Sequence, residues 1–332
     1  MPKQNMRLNP EGNRGERSAT RDGFGRGMVE AAERDERVVA VCADLTESMR
    51  LTEFERSFPD RFVRIGVSEQ LLVSLGAGLA LGGKTPFVAS FAAFSPGRSW
   101  EQVRTNVCLN GTNVKIVGGH AGVTVGPDGA THQALEDIAI TRCLPNLTVV
   151  VPCDAEQARL ATLALAEADG PAYLRLGREP RPNLTTAETP FEIGRIQTFR
   201  EGDDAAIVAC GVMVGPALQA AETLAAEDGL ECRVLNCHTI KPLDSQAVLA
   251  AARECGAVVT AEEHQLAGGL GSAVAETLAE RRPTPIEFVG VRDRFGQSGE
   301  PDELLEEYGL TADDIRAAVR RAVARKTKTS GK

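Results

Sequence analysis

Short β-branched, apolar runs alternate along this chain with longer segments of helical period, the pattern of parallel strands joined by crossover helices. The spacing predicts strands at 37–42, 62–66, 86–91, 114–118, 147–151 and 172–176, with helices at 22–34, 69–81, 98–109, 133–142 and 154–167. The proline-marked stretch EPRPNLTTAETP at 179–190 has no periodicity and reads as a linker. After it a second set begins, with strands predicted at 205–210, 231–236, 257–261 and 285–290 and helices at 215–227, 245–254, 270–281 and 311–324. The expected fold is therefore α/β, with two domains, each a mainly parallel sheet flanked by helices. The expected boundaries are 19–180 for the first domain, 181–194 for the linker and 195–325 for the second domain, with 1–18 and 326–332 as disordered tails. No internal repeat is visible.

Composition narrows the function classes. The 332 residues are 42% hydrophobic and 25% charged, which suits globular domains large enough to bury their own cores. A net charge of −9 argues against nucleic acid or an anionic membrane as partner. The first twenty residues contain no apolar stretch, so no secretory signal is expected, and the run Leu71–Leu81 is too short and glycine-rich to span a bilayer. The eight cysteines include no C-x-x-C pair and read as buried reduced thiols of a cytoplasmic protein. Cys232 and Cys237 lack further soft ligands nearby, so no metal site is expected in this chain.

Candidate chemistry falls in loops after predicted strands, where parallel sheets bind ligands. Neither G-x-G-x-x-G after the first strand nor a P-loop is present. In G-V-S-E-Q at 66–70, Ser68 is placed to cap a helix with Glu69 in its first turn, a favourable place for any surface carboxylate. Its apolar company, Ile65, Val67, Leu71, Leu72 and Val73, points instead to a desolvated carboxyl that shares or donates a proton. The loop GGHAGVTVGPDGATHQ at 118–133 holds two of the four histidines, His120 and His132, with Asp128 between them. It reads either as an ordinary solvated loop or as a site for proton transfer and hydroxyl recognition. Arg21, Ser48 in A-D-L-T-E-S and Arg178 in L-R-L-G-R are candidate phosphate ligands, or simply surface groups. F-V-A-S-F-A-A-F at 87–94 supplies aromatic rings for a core or for stacking on a heterocycle.

Together, A-D-L-T-x-S, G-V-S-E-Q, F-V-A-S-F-A-A-F-S-P-G-R and H-A-G-V-T-V-G-P-D-G-A-T-H-Q resemble the pyrimidine-binding half of transketolase, from Arg21 through Arg178. The later α/β set resembles that family's C-terminal domain. The family's pyrophosphate-binding half, with its G-D-G motif, has no counterpart here, so the chain resembles the C-terminal subunit of a split transketolase. The resemblance implies thiamine diphosphate shared with an N-terminal subunit, which would hold Mg²⁺ or Ca²⁺. It also implies self-association to a dimer within an α2β2 heterotetramer, and transfer of a two-carbon ketol group between sugar phosphates through a thiamine diphosphate adduct. It assigns Glu69 to the pyrimidine nitrogen, Phe91 and Phe94 to ring stacking, and Asp44 and Leu45 to the cofactor's surroundings, leaving Phe87 in the core. Asp128 is assigned to a donor hydroxyl, His120 and His132 to sugar hydroxyls and proton movement, and Arg21, Ser48 and Arg178 to phosphate. Lys241 and His264 match no catalytic position and are expected to be structural. The β subunit of a 2-oxo acid dehydrogenase shares this layout, and an unusual sugar phosphate as substrate or a non-catalytic paralogue are further alternatives.

Overall fold

The computed structural model describes residues 6–329. Among these described residues, fourteen strands and eleven α-helices follow in chain order. The first half contains β1 (Arg17–Ser18), α1 (Thr20–Arg34), β2 (Val38–Cys42), α2 (Thr52–Ser57), β3 (Phe62–Arg64), α3 (Glu69–Leu81), β4 (Thr85–Phe91) and α4 (Trp100–Gln102). It continues through β5 (Lys115–Gly119), α5 (Asp137–Arg142), β6 (Thr148–Val150), α6 (Ala155–Glu167), β7 (Ala172–Arg175) and β8 (Arg181–Pro182). The second half contains β9 (Gln197–Arg200), β10 (Ala205–Ala209), α7 (Val214–Asp228), β11 (Cys232–Asn236), β12 (Thr239–Lys241), α8 (Ser245–Cys255) and β13 (Val258–Gln265). It ends with α9 (Leu270–Arg281), β14 (Ile286–Val291), α10 (Pro301–Glu307) and α11 (Ala312–Thr329).

Two large sheets organise most of these elements, beside the two-stranded pair of β1 and β8. The larger has seven strands in the order β12-β6-β7-β5-β4-β2-β3, and the smaller has five in the order β14-β13-β10-β11-β9. Every pairing within them is parallel except those of β12 with β6 and of β9 with β11. Strands β2, β4, β5, β7 and β10 are buried at every position, so β2 and β10 read as unbroken apolar runs, while β4, β5 and β7 bury Ser90, Lys115 and Arg175 among their apolar residues. Phe87 is fully buried against Phe24, at 6.4 Å between ring centroids. Among the described residues, no helix is long and apolar enough to cross a membrane.

Several features depart from the sequence pattern. Residues 6–18, expected to be disordered, are packed: Met6 is buried and Arg17–Ser18 pairs antiparallel with Arg181–Pro182. That pairing joins segments more than 160 residues apart, so no local pattern announces it. At the other end, α11 runs to Thr329 through part of the expected tail, while 1–5 and 330–332 lie outside the described residues. The helix predicted at 98–109 is α-helical only over Trp100–Gln102 and then widens into a π-helical turn, Val103–Leu109. The helix predicted at 133–142 shrinks to α5, because Ala121 and Ala134 form a bridge that keeps residues before α5 extended. Finally β12, from the second half of the chain, adds an antiparallel edge to the first sheet.

Candidate active site

The chain leaves β2 toward β3 on one side and then enters β4 on the other, which opens a crevice at the carboxyl ends of the parallel strands. Into it run Asp44, Leu45 and Ser48 after β2, Glu69 after β3, Phe91 at the end of β4, His120 after β5 and Arg178 after β7. Arg21 joins from the first turn of α1.

Glu69 opens α3 and is only 2% exposed. Ser68 does not cap the helix with its side chain: its backbone, at φ −152° and ψ 75°, lies away from the extended geometry a side-chain cap uses. The partner of Glu69 is a residue that sequence reasoning missed. Arg98 Nη1 donates to Glu69 Oε2 at 2.7 Å, and its guanidinium carbon lies 5.0 Å from the Phe94 ring centroid. Its signal is the last letter of F-A-A-F-S-P-G-R, and nothing local in that string marks an arginine as the partner of a carboxyl far earlier in the chain.

An aromatic wall continues from there. Phe91 and Phe94 stack at 6.0 Å, His132 sets its edge against both, and the His120 ring stacks on Phe91 at 3.8 Å. The Nδ1 of His132 shares a hydrogen bond with Thr131 Oγ1 at 2.9 Å. Arg21 Nη1 lies 3.5 Å from His120 Nε2 and donates to the Ser48 carbonyl at 3.1 Å. A guanidinium only donates, so Nε2 of His120 is the acceptor and Nδ1 carries the hydrogen. Among the described residues, that buried Nδ1 has no hydrogen-bond partner, and neither has Arg21 Nε. Burial, reinforced by Arg21 and Arg178, pushes His120 down to about 3. The ring is therefore neutral near pH 7, which suits a hydrogen-bond donor better than a proton carrier. Burial, with Arg50 nearby, also lowers Arg21 from its usual range, but a guanidinium stays charged.

Backbone architecture sets these groups side by side. The Gly177 amide donates to Thr20 Oγ1 at 2.7 Å, so the residues that follow each, Arg178 and Arg21, leave from adjacent points. Arg178 Nη1 then donates to the Val125 carbonyl at 2.6 Å. The histidine loop is anchored from the second half of the chain by Glu263, whose Oε1 accepts from Thr124 N at 2.6 Å. Gly122 makes this possible: its φ is +90°, and a Cβ there would sit 2.2 Å from the Glu263 carboxyl carbon. Gln133 spans the same junction, donating to the Val123 and Gln297 carbonyls at 3.0 and 2.9 Å.

Glu69, Phe91, Phe94, His120, His132, Arg21, Ser48 and Arg178 are thus gathered in one crevice. Leu45 packs against the core beside it. Asp44, at φ +61°, and Asp128 stay exposed on their loops, outside the hydrogen-bonded cluster among the described residues. The second-half residues expected to be structural brace α5 instead. His264 Nε2 accepts from Ile138 N and Ala139 N at 3.1 and 3.3 Å, and Lys241 Nζ donates to the Arg142 carbonyl at 3.1 Å and to that of Leu144. Among the described residues, no group of three or more His, Cys, Asp or Glu side chains could hold a metal ion.

Residues 16–184 match the family described as transketolase, pyrimidine binding domain, and 194–315 match transketolase, C-terminal domain. The 6-deoxy-6-sulfo-D-fructose transketolase subunit SqwH of Clostridium sp. (strain MSTE9) is 44% identical over 90% of this chain and 92% of its own length. A subunit of the apulose-4-phosphate transketolase of Phocaeicola vulgatus is 39% identical over 90% of this chain and 95% of its own. A solved structure described as split gene transketolase, inactive beta4 tetramer, superposes with a TM-score of 0.87 at 45% identity, covering 93% of this chain and 99% of that one. The chain belongs to the transketolase family and matches the C-terminal subunits of its split members.

Proposed function

We propose that this chain works with a separate N-terminal transketolase subunit, in the cytoplasm, to move a two-carbon ketol group between sugars that carry a tetrahedral anion. One observation carries the reading. A buried carboxyl with an aromatic wall, Glu69 with Phe91 and Phe94, opens onto the donor cluster of Arg21, His120 and Arg178.

The residues present fit the pyrimidine end of thiamine diphosphate. Glu69 offers a carboxyl to a ring nitrogen, Phe91 and Phe94 offer flat faces, and Leu45 supplies apolar surroundings, with Asp44 on the rim. When bound, thiamine diphosphate supplies the nucleophilic carbon and the electron sink that ketose carbon–carbon cleavage needs. In this proposal Glu69 sets the ring tautomer by accepting from, or sharing a proton with, the ring nitrogen. His120 donates through Nδ1 to a substrate oxygen, and its charge-neutral ring adds no proton of its own. His132, half-buried at the rim, contacts a sugar hydroxyl and moves protons, while Asp128 recognises a donor hydroxyl from its exposed loop. Arg21 and Arg178 grip the terminal anion, with Ser48 beside them. The metal ion, Mg²⁺ or Ca²⁺, and the cofactor's diphosphate belong to the partner subunit in this reading.

The relatives named above carry a sulfonated and a phosphorylated sugar in their names, and a guanidinium pair serves either anion. A 2-oxo acid would leave this cluster without an anion at the far end, which favours a sugar substrate over the dehydrogenase-type alternative. Self-association is part of the proposal. Val67, Leu71 and Leu81 are 73%, 50% and 78% exposed on or beside α3, and a C2 partner would cover them.

The test mixes this chain with an N-terminal subunit, thiamine diphosphate and Mg²⁺. It then assays ketol transfer from ketose phosphates of the pentose type and from a sulfonated ketose, with each subunit alone as control. Transfer only in the mixture supports the proposal. A stable complex that transfers from neither donor yet turns over 2-oxo acids would replace it.

A further inference from the structure

Arg98, the last residue of F-V-A-S-F-A-A-F-S-P-G-R, is the partner of the buried Glu69 carboxyl. Glu69 is 2% exposed whereas Arg98 is 54% exposed, so the guanidinium brings a counter-charge from the solvent side to a carboxyl the fold has buried. It arrives there by a tight reversal after Phe94. The Arg98 amide donates to the Phe94 carbonyl at 2.9 Å, and a Cβ on Gly97 would lie 2.2 Å from the Ala93 carbonyl oxygen. Glycine at 97 therefore lets the chain turn closely enough to send Arg98 back over the Phe94 ring. The guanidinium is fixed twice, by the ring at 5.0 Å and by Oε2 at 2.7 Å.

We propose that Arg98 is a positioning residue that pins one oxygen of the Glu69 carboxylate and leaves the other aimed at the pyrimidine nitrogen of thiamine diphosphate. The inference rests on the functional reading above and deepens it. A carboxylate has two acceptor oxygens, and occupying one removes its freedom to rotate. Because Arg98 can only donate, it favours the carboxylate as acceptor at the remaining oxygen. The ring nitrogen facing that oxygen is then favoured in the tautomer that carries hydrogen. Arg98 thus acts through Glu69, touching neither sugar nor reacting atoms.

The experiment is a double-mutant cycle on cofactor affinity. Arg98→Met, Glu69→Gln and the double variant are each mixed with the N-terminal subunit and Mg²⁺, and thiamine diphosphate binding is measured by calorimetry. Arg98→Met is expected to weaken binding by about tenfold, the loss of one charge-assisted contact. Arg98→Lys should recover part of it. In the Glu69→Gln background the same substitution should change affinity by less than about twofold, because the carboxylate it serves is gone. Wild-type affinity for Arg98→Met would overturn the inference, and so would an undiminished loss in the Glu69→Gln background, which would mean that Arg98 acts on the cofactor or the fold directly. Should Arg98→Met fail to fold, as judged by circular dichroism of the isolated chain, Arg98→Lys and Arg98→Gln carry the same cycle. If the wild-type mixture binds no thiamine diphosphate, the functional reading itself falls and this inference with it, a result distinct from the other two.

Discussion

Glu69 and Arg178 separate the two ends of the proposed site, and their substitutions should fail in different ways. Glu69→Gln keeps the side-chain shape and leaves Arg98, already half in solvent, to hydrate, so the fold should survive with its unfolding temperature nearly unchanged. Turnover of the assembled enzyme should fall by about a hundredfold or more, the scale of a lost proton-sharing group. Near wild-type turnover would reject its assigned role. Arg178→Ala removes a guanidinium that donates to the Val125 carbonyl at 2.6 Å and, in the proposed reading, grips the substrate anion beside Arg21. It should raise KM for phosphorylated or sulfonated sugars by about tenfold and leave neutral sugars almost untouched. Equal losses on both would place Arg178 outside the anion site. At this scale the sequence spoke through motifs: Glu69, the two phenylalanines and both histidines were legible because each sits in a short, unusual string. Arg98 was not, because an arginine after S-P-G has no meaning until the turn is seen to fold back onto a carboxyl 29 residues earlier.

Elements were legible where burial alone decided them and obscure where distant chain completed them. Strands β2, β4, β5 and β10 are buried throughout and matched their apolar runs closely. Helix α5 is the contrasting case, since its N-terminus is capped by His264 and its C-terminus by Lys241, both about a hundred residues further on. The strands β1, β8 and β12 are two or three residues long and exist only through partners remote in sequence. Helix α3 presents the opposite problem, being too apolar for a surface element. It has no charged residue after Glu69, and the exposed Leu71, Gly78 and Leu81 recur at helical spacing on one side. If this face carries self-association, Leu71→Glu should shift the isolated chain toward monomer in sedimentation while its secondary structure by circular dichroism stays intact, because Leu71 is already 50% exposed. An unchanged oligomer distribution would move the interface elsewhere.

On the scale of the whole molecule, ionisable groups buried in the crevice and at the junction between the two halves make stability depend on pH in two opposing ways. Burial holds His120 and His238 down to about 3 and His264 down to about 4, so these rings stay neutral in the native state where unfolded histidine, near 6.5, takes a proton. The unfolded chain then binds more protons, and stability is lost as pH falls below about 6.5, with the loss complete only near the native values. Glu262 works in the other direction. It accepts from Leu270 N and Gly271 N at 2.7 and 2.8 Å, yet burial pushes it up to about 8, well above an unfolded glutamate near 4.5. Between those values the native state holds the extra proton, so this term weakens the fold as pH rises toward 8. Glu262 Oε2 and His264 Nδ1 lie 3.9 Å apart, and neutral forms of both suit that dry junction. The two slopes predict a stability maximum near pH 6 to 7, with each group changing it by about 1.4 kcal/mol per pH unit inside its own window. Thermal unfolding at pH 5, 6.5 and 8 checks this. Glu262→Gln should flatten the decline from 6.5 to 8 and steepen the rise from 5 to 6.5, because Glu262 opposes the histidines throughout its own window from about 4.5 to 8. A variant that still loses stability equally on the alkaline side would show that the extra native proton sits on a group other than Glu262.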